Sequence, residues 1–261
     1  MEPISYNSAE LISLSVATSS QGNQPKWKTP DGQWYIKECF DYQDIHWRDD
    51  KVEVISSQYA KLCHLDLFGV KVLEQEPCFV DGRPAVRSKN FCDEHQYFIP
   101  FYRLIGAHLI PRDCSVEDRL NLYSNILLEA TGLHYTNYLF VMMVLDCIIS
   151  NEDRHLSNFG ALYSTETQSY SIPPLFDFGL GMLEHDIKYR EMPLAKCVNR
   201  IDGKPFAGKN KKVLQKLTTV YPDVVKRLLP DSIELDIFDF PSNKAKLLFK
   251  RQNQMLGVEV L

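Results

Sequence analysis

The residues best suited to chemistry lie in one stretch, residues 146–181, reading DCIISNEDRHLSNFGALYSTETQSYSIPPLFDFGLG. It holds Asp153 with Asn158 five residues later, and Asp177 opening Asp177-Phe178-Gly179. Moving a γ-phosphate requires a carboxylate to take the acceptor hydroxyl proton and oxygen ligands to hold Mg²⁺ on the phosphates. Asp153 can be the first, with Asn158 and Asp177 the second, because a D-x-x-x-x-N loop turns a carboxylate and an amide oxygen toward one phosphate from one short segment. Between these centres, apolar residues 159–163 and 170–175 flank the polar run 164–169. That pattern predicts two short strands joined by a turn, which brings Asn158 and Asp177 side by side. Asp-Arg-His alone arises by chance and a lone Asp-Phe-Gly is often a turn, so the joint occurrence carries the reading. Asp146 sits in the apolar run 138–149 and reads as a buried carboxylate bracing the loop by hydrogen bonds.

Such a centre needs elements that hold a nucleotide over it. Residues 11–16 alternate as a half-buried strand does, 17–26 form a small-residue loop with Thr18, Ser19, Ser20, Gln21, Gly22 and Asn23, and 33–37 resume a strand. Backbone N–H groups and short hydroxyls of such a loop can wrap phosphates, although GxxxxGK[ST] is absent and an exposed turn is the plainer alternative. Lys37 closes the second strand, where its ammonium can reach phosphates, with Lys26 the next candidate. Residues 49–63 read as a helix with Asp49 or Asp50 as N-cap and Val52, Ile55, Tyr59 and Leu62 inward. Glu53 on that helix is the candidate partner of Lys37, with Glu38, Asp41 and Asp44 as competitors. Asp81-Gly82 signals a hairpin turn before residues 84–88.

From about residue 104 the pattern turns helical. Ser115-Val-Glu-Asp118 is a capping-box pattern opening a helix with Leu120, Tyr123, Ile126, Leu127 and Ala130 inward. Residues 136–149 are apolar on nearly all faces, as the central helix of a helical lobe must be, and deliver the chain to Asp153. Residues 182–208 mix Pro, Gly and charge, fitting an activation-type loop or a plain linker; 209–229, interrupted at Pro222, and 242–256 read as amphipathic helices. Lys209, Lys211 and Lys212 form a basic run of the kind that usually marks a solvated face, and His185-Asp186 is a metal pair only superficially.

Composition bounds the reading from outside. A chain of 261 residues can bury a sizeable core, as one large domain or two lobes. Net charge of -5 argues against a nucleic-acid binder, since such domains concentrate basic charge. The start of the chain has no basic region followed by an apolar core, so no secretory signal is expected. The run 138–149 is too short to span a bilayer. Seven cysteines without a CxxC pair point to reduced thiols in a cytoplasmic compartment rather than to zinc; export by a specialised system would leave no sequence trace.

SNEDRHLSNFGAL followed by PPLFDFGLG resembles the HipA-like kinases, a serine/threonine protein kinase family with atypical motifs, and within it the short secreted or stand-alone members. Phosphoinositide kinases share a similar pair of motifs. The resemblance runs over about residues 15–190, including Gly22-Asn-Gln-Pro-Lys26, and fades beyond. It implies that Asp153 is the catalytic base, that Asn158 and Asp177 bind metal, and that His155 supports the loop. It also implies that residues 85–89, with Val86 and Ser88, connect the lobes and meet the adenine edge through their backbone, although an edge strand fits those residues equally well. The expected fold is α+β, a two-lobed protein-kinase-like architecture: a small antiparallel-sheet lobe with one helix, residues 1–104, and a helical lobe, 105–261. The implied function is ATP- and Mg²⁺-dependent phosphorylation of a protein serine or threonine, with self-phosphorylation in the 18–20 loop and an antitoxin-like or host protein as candidate partner. The alternatives are a small-molecule or phosphoinositide kinase, and a nucleotide-binding pseudokinase that partners another protein.

Overall fold

A computed structural model describes residues 4–14, 24–39, 41–42, 45–184 and 187–261. The loop residues Thr18, Ser19, Ser20, Gln21, Gly22 and Asn23, together with Asp44, His185 and Asp186, lie outside the described residues.

The first part of the chain builds a six-stranded sheet from β1 (Ile4–Tyr6), β2 (Ile12–Ser13), β3 (Lys26–Lys28), β4 (Trp34–Glu38), β7 (Gln75–Val80) and β8 (Arg83–Lys89), in the order β1-β7-β8-β4-β3-β2. The short pair β5 (Asp41–Tyr42) and β6 (Ile45–His46) lies between β4 and the helix that follows. The β7–β8 hairpin closes at Asp81-Gly82 with φ of 48° and 77°, the double positive φ that matches the twist of paired strands. Period-2 alternation puts Ile36, Cys78, Val80 and Ala85 into one small core with Trp27 packed against it. The sheet departs from the antiparallel expectation at its edge, where β1 runs parallel to β7.

Helix α1 (Asp49–Leu62) has Arg48 at its N-cap position, so Asp49 and Asp50 fall in the first turn rather than on the cap, where the positive end of the helix still favours them. Val52, Ile55 and Tyr59 point inward as their 3-4 spacing requires; Leu62 is 37% exposed, because the helix ends there.

The inward face of α1 joins the main core, which is organised around α4 (Thr136–Ile149), buried from Tyr138 to Ile149. Around it lie α3 (Val116–Thr131), α7 (Asn210–Thr219), α8 (Pro222–Leu228) and α9 (Asn243–Met255), with the single turns α2 (Phe101–Leu104), α5 (Ile187–Arg190) and α6 (Leu194–Cys197). The N-caps follow the sequence: Ser115 Oγ accepts from Asp118 N, Ser242 Oγ from Ala245 N, and Pro222 starts α8 where no N–H is needed. A two-stranded ribbon, β12 (Ser232–Ile233) with β13 (Glu259–Val260), ties down the end of the chain.

The expected hairpin forms as β10 (Gly160–Ser164) and β11 (Ser169–Ser171). Its second strand stops before the expected end at Leu175, because Pro173 and Pro174 cannot donate to a ladder; Leu175 instead bridges to Val72. β9 (Gln96–Pro100) pairs with β10, so a strand assigned to the first lobe joins the helical part, and the change of layer falls between Lys89 and Gln96 rather than at residue 104. Gly160 permits that pairing, since a Cβ there would sit 2.1 Å from Ile99 O. Among the described residues no helix is long and apolar enough to cross a membrane.

Candidate active site

Helix α4 ends on Ser150, whose φ of 58° turns the backbone out of the helix and into the loop that carries Asp153. That turn is held from beneath. Arg154 is fully buried and donates Nε and Nη2 to the two carboxylate oxygens of Asp146, at 2.8 and 2.9 Å. Its Nη1 donates to the carbonyls of Asn158 and Phe176, and its plane lies over the Phe178 ring, 4.7 Å from the centroid. One cation therefore ties α4, the loop and the Asp-Phe-Gly segment together, and Asp146 braces the loop as its apolar surroundings indicated. An uncompensated buried guanidinium costs more than the pair gains, so Asp146→Ala should destabilise the fold by about 3 to 5 kcal/mol, measured by urea unfolding. Asn151 completes the brace, donating Nδ2 to Asp146 Oδ1 and accepting the N–H of Asp153 on Oδ1.

The Asp153 carboxylate is 42% exposed. His155 accepts the Ser157 N–H on Nδ1 at 3.2 Å and turns Nε2 toward Asp153 Oδ2 at 3.8 Å, a placement that shapes the loop. Asn158 donates Nδ2 to the Asp153 carbonyl at 3.3 Å, while its buried Oδ1 accepts from no group among the described residues. An orphaned buried acceptor is costly unless something else fills it. Among the described residues no three His, Cys, Asp or Glu side chains converge as a metal cage, but a magnesium ion shared with phosphates takes only one or two protein ligands. Asn158 Oδ1 and the Asp177 carboxylate are chemically fitted to that role.

Three separate segments meet at Lys37. Its Nζ lies 3.3 Å from Glu53 Oε1 on α1 and 3.2 Å from Asp177 Oδ1. At an effective dielectric of ~20, each contact is worth about 5 kcal/mol of Coulomb attraction, against a burial cost of several kcal/mol, so two carboxylates keep the ammonium charged. Burial pulls the Lys37 pKa down, but Asp177, Glu53 and Asp49 outweigh it and raise it. For Asp177, burial acts upward, and Lys37, Arg154 and Lys26 overcome it, holding the carboxyl below its usual range. Burial lifts Glu53, with Lys37 opposing. Of the competitors for Lys37, Glu38 instead pairs with Arg83 at 3.1 Å.

The backbone cooperates. Asp177 takes a φ of 62°, a strained region for a non-glycine residue, and is held there because the Phe178 N–H donates to Glu53 Oε2 at 3.0 Å. Gly179 presses on the same pair: a Cβ would sit 3.1 Å from Glu53 Oε1 and 3.2 Å from Lys37 Nζ. Gly179→Ala should therefore leave the melting temperature nearly unchanged while reducing nucleotide affinity, read by calorimetry.

Lys37 and Asp177 face a cleft of about 270 Å³ that reaches Ser157 of the Asp153 loop and is shared by Lys26, the cross-strand partner of Lys37. Val86 and Ser88 line it as the sequence indicated, but not as a connector: β8 is paired on both sides, to β4 and β7, so its backbone is committed to the sheet. The expectation that residues 85–89 link the lobes is corrected, and the segment leaving the sheet is Asn90-Phe91-Cys92. The rings of Phe91, Phe98 and Phe176, with centroids 5.3 to 6.1 Å apart, form an apolar end of the cleft that sequence reasoning missed. Their positions in three segments carry no shared spacing that could have revealed them.

The fold has a known counterpart. No family model matches the chain. The serine/threonine-protein kinase CtkA of Helicobacter pylori is 28% identical over 130 residues, which are 47% of this chain and 39% of that protein. The crystal structure of the H. pylori proinflammatory kinase CtkA superposes with a TM-score of 0.61 at 17% identity, covering 97% of this chain and 95% of the other. The chain has the kinase fold of CtkA. The α+β, two-lobed expectation is borne out by that likeness, and the motif resemblance agrees with the sequence similarity. HipA of Shewanella oneidensis, in a complex with HipB and operator DNA, is more distant, at 13% identity and a TM-score of 0.40 over 94% of this chain and 64% of that one.

Proposed function

We propose that the chain is an ATP- and Mg²⁺-dependent phosphotransferase that acts on protein serine or threonine hydroxyls. The observation that carries this is the placing of Lys37 between Glu53 and Asp177, at 3.3 and 3.2 Å, in a cleft that also reaches the Asp153 loop. The similarity to the protein kinase CtkA supports a protein acceptor, and the HipA-like motifs of the sequence make an antitoxin-like or host protein the candidate partner.

In this reading each side chain has one task. Lys37, fixed by Glu53, presents an ammonium to the nucleotide phosphates. Asp177 and Asn158 Oδ1 hold the magnesium ion, which when bound neutralises charge on the phosphates. Asp153 orients the acceptor hydroxyl and takes its proton. His155 keeps the loop in shape. The nucleobase lies toward Phe91, Phe98 and Phe176, with its polar edge at Asn90-Phe91-Cys92. The lobes divide between Lys89 and Gln96. Lys37→Met should lower activity strongly while leaving the circular dichroism spectrum unchanged; an unaltered rate would move the clamp to Lys26.

Incubation with γ-labelled ATP and Mg²⁺, alone and with a generic protein acceptor or lipid vesicles, tests the whole reading. Label on protein, absent with Asp153→Asn, is expected, and label on the chain itself should map to Thr18, Ser19 or Ser20. Label on lipid would make the acceptor a headgroup. No label in any arm, with ATP bound, would make the chain a nucleotide-binding module.

A further inference from the structure

A second, wider cleft of about 950 Å³ opens between the loop before α3 and the segment leading into α7, and reaches His155 and Leu156 of the catalytic loop. Its wall is basic, although the chain carries a net charge of -5. Arg112, Arg119, Lys204, Lys212 and Lys216 line it, against Asp113 as the carboxylate on the lining. Two of these cations are spent inside the fold. Lys216 pairs with Glu117 at 2.8 Å, and Arg119 donates to the carbonyls of Pro111, Arg112 and Pro205. The side chains of Arg112, Lys204 and Lys212 are exposed and have neither an ion pair nor a hydrogen bond among the described residues.

The basic run before and within α7 is thus not one uniform solvated face. Lys209 donates to Asp202 at 2.6 Å and Lys211 to Asn199 Oδ1 at 3.2 Å, whereas Lys212 is left to the cleft. Three unpaired cations around one cavity raise the local potential and concentrate anions there, because the low-dielectric walls focus the field. Continuous single-sign surfaces that track many phosphates mark nucleic-acid binders; a short basic pocket on an acidic chain does not.

We propose that this cleft seats the part of the substrate next to the acceptor hydroxyl, and that it selects protein segments bearing acidic side chains there. The inference rests on the phosphotransfer reading, since it uses Asp153 to place the acceptor. With the hydroxyl at Asp153, the neighbouring residues of the substrate run past His155 into the cleft, where carboxylates meet Arg112, Lys204 and Lys212. Rim contacts of this kind are individually weak and salt-sensitive, so the selection is a sum of several.

The test compares a serine peptide flanked by glutamates with the same peptide carrying glutamines, by fluorescence anisotropy and by label transfer, using the wild-type chain and the triple variant Arg112→Glu, Lys204→Glu, Lys212→Glu. The acidic peptide is expected to bind roughly tenfold tighter than its neutral counterpart, with a preference that fades in high salt and disappears in the triple variant. Mg²⁺-ATP affinity should be equal in both proteins. Equal binding of the two peptides, or a preference that survives the charge reversal, overturns the proposal. So does displacement of the acidic peptide by a single-stranded oligonucleotide at lower concentration than by free peptide. Acidic peptide held by the cleft without any label transferred would support the acid-selective surface and remove the phosphotransfer reading on its own.

Discussion

Asp153→Asn should keep Mg²⁺-ATP binding and lose turnover by a factor of at least ~100, the range expected when a positioned general base is removed. The geometry makes the separation clean. Asp153 contributes its backbone N–H to Asn151 and its carbonyl to Asn158, and these contacts survive the change to an isosteric amide. Its carboxylate stands partly in solvent, 3.8 Å from His155 Nε2, so the substitution chiefly removes a proton acceptor. Calorimetry with Mg²⁺-ATP and a steady-state rate on the same preparation separate the two effects. Full activity in the variant would show that the proton leaves by another route.

Asp177→Asn should do what Asp153→Asn does not and weaken nucleotide binding itself, by at least ~tenfold in the presence of Mg²⁺, or about 1.4 kcal/mol. The carboxylate is ionised because Lys37, Arg154 and Lys26 outweigh its burial, so it offers a full charge to a cation at neutral pH. An amide keeps the shape and loses that charge. Without Mg²⁺ the two proteins should bind ATP more alike. The same residue sets an acid limb to stability: its folded pKa lies below the ordinary 3.8, so its contribution is complete above that value and is lost as pH falls below it. The Asn variant should lack this limb in pH-dependent melting, and an unchanged acid profile would count against the Lys37–Asp177 pair.

The chemistry was legible where spacing alone constrains it. Four residues between Asp153 and Asn158 define a tight loop, and an apolar helix with one acid, Asp146, predicts a buried partner, which Arg154 supplies. Helix starts were readable because Ser115, Ser242 and Pro222 act locally. What escaped was set by pairing between distant segments. No local signal tells residues 83–89 that they lie between two strands rather than at a connector, or that β9 leaves the first sheet for β10. The parallel β1–β7 edge is non-local in the same way. Glu53 was readable as one of several acids; its selection over Glu38 came from the packing of α1 against β7 and β8, which leaves Glu38 to Arg83.

The central claim is that Lys37, Asn158, Asp177 and Asp153 form one phosphotransfer site, and a crystal structure with Mg²⁺ and a non-hydrolysable ATP analogue tests it most directly. The metal is expected at ~2.1 Å from both Asn158 Oδ1 and an Asp177 oxygen. Lys37 Nζ is expected on the phosphates, with the terminal phosphate facing Asp153. A nucleotide bound outside the cleft, or a metal that leaves Asn158 Oδ1 without a partner, would contradict it.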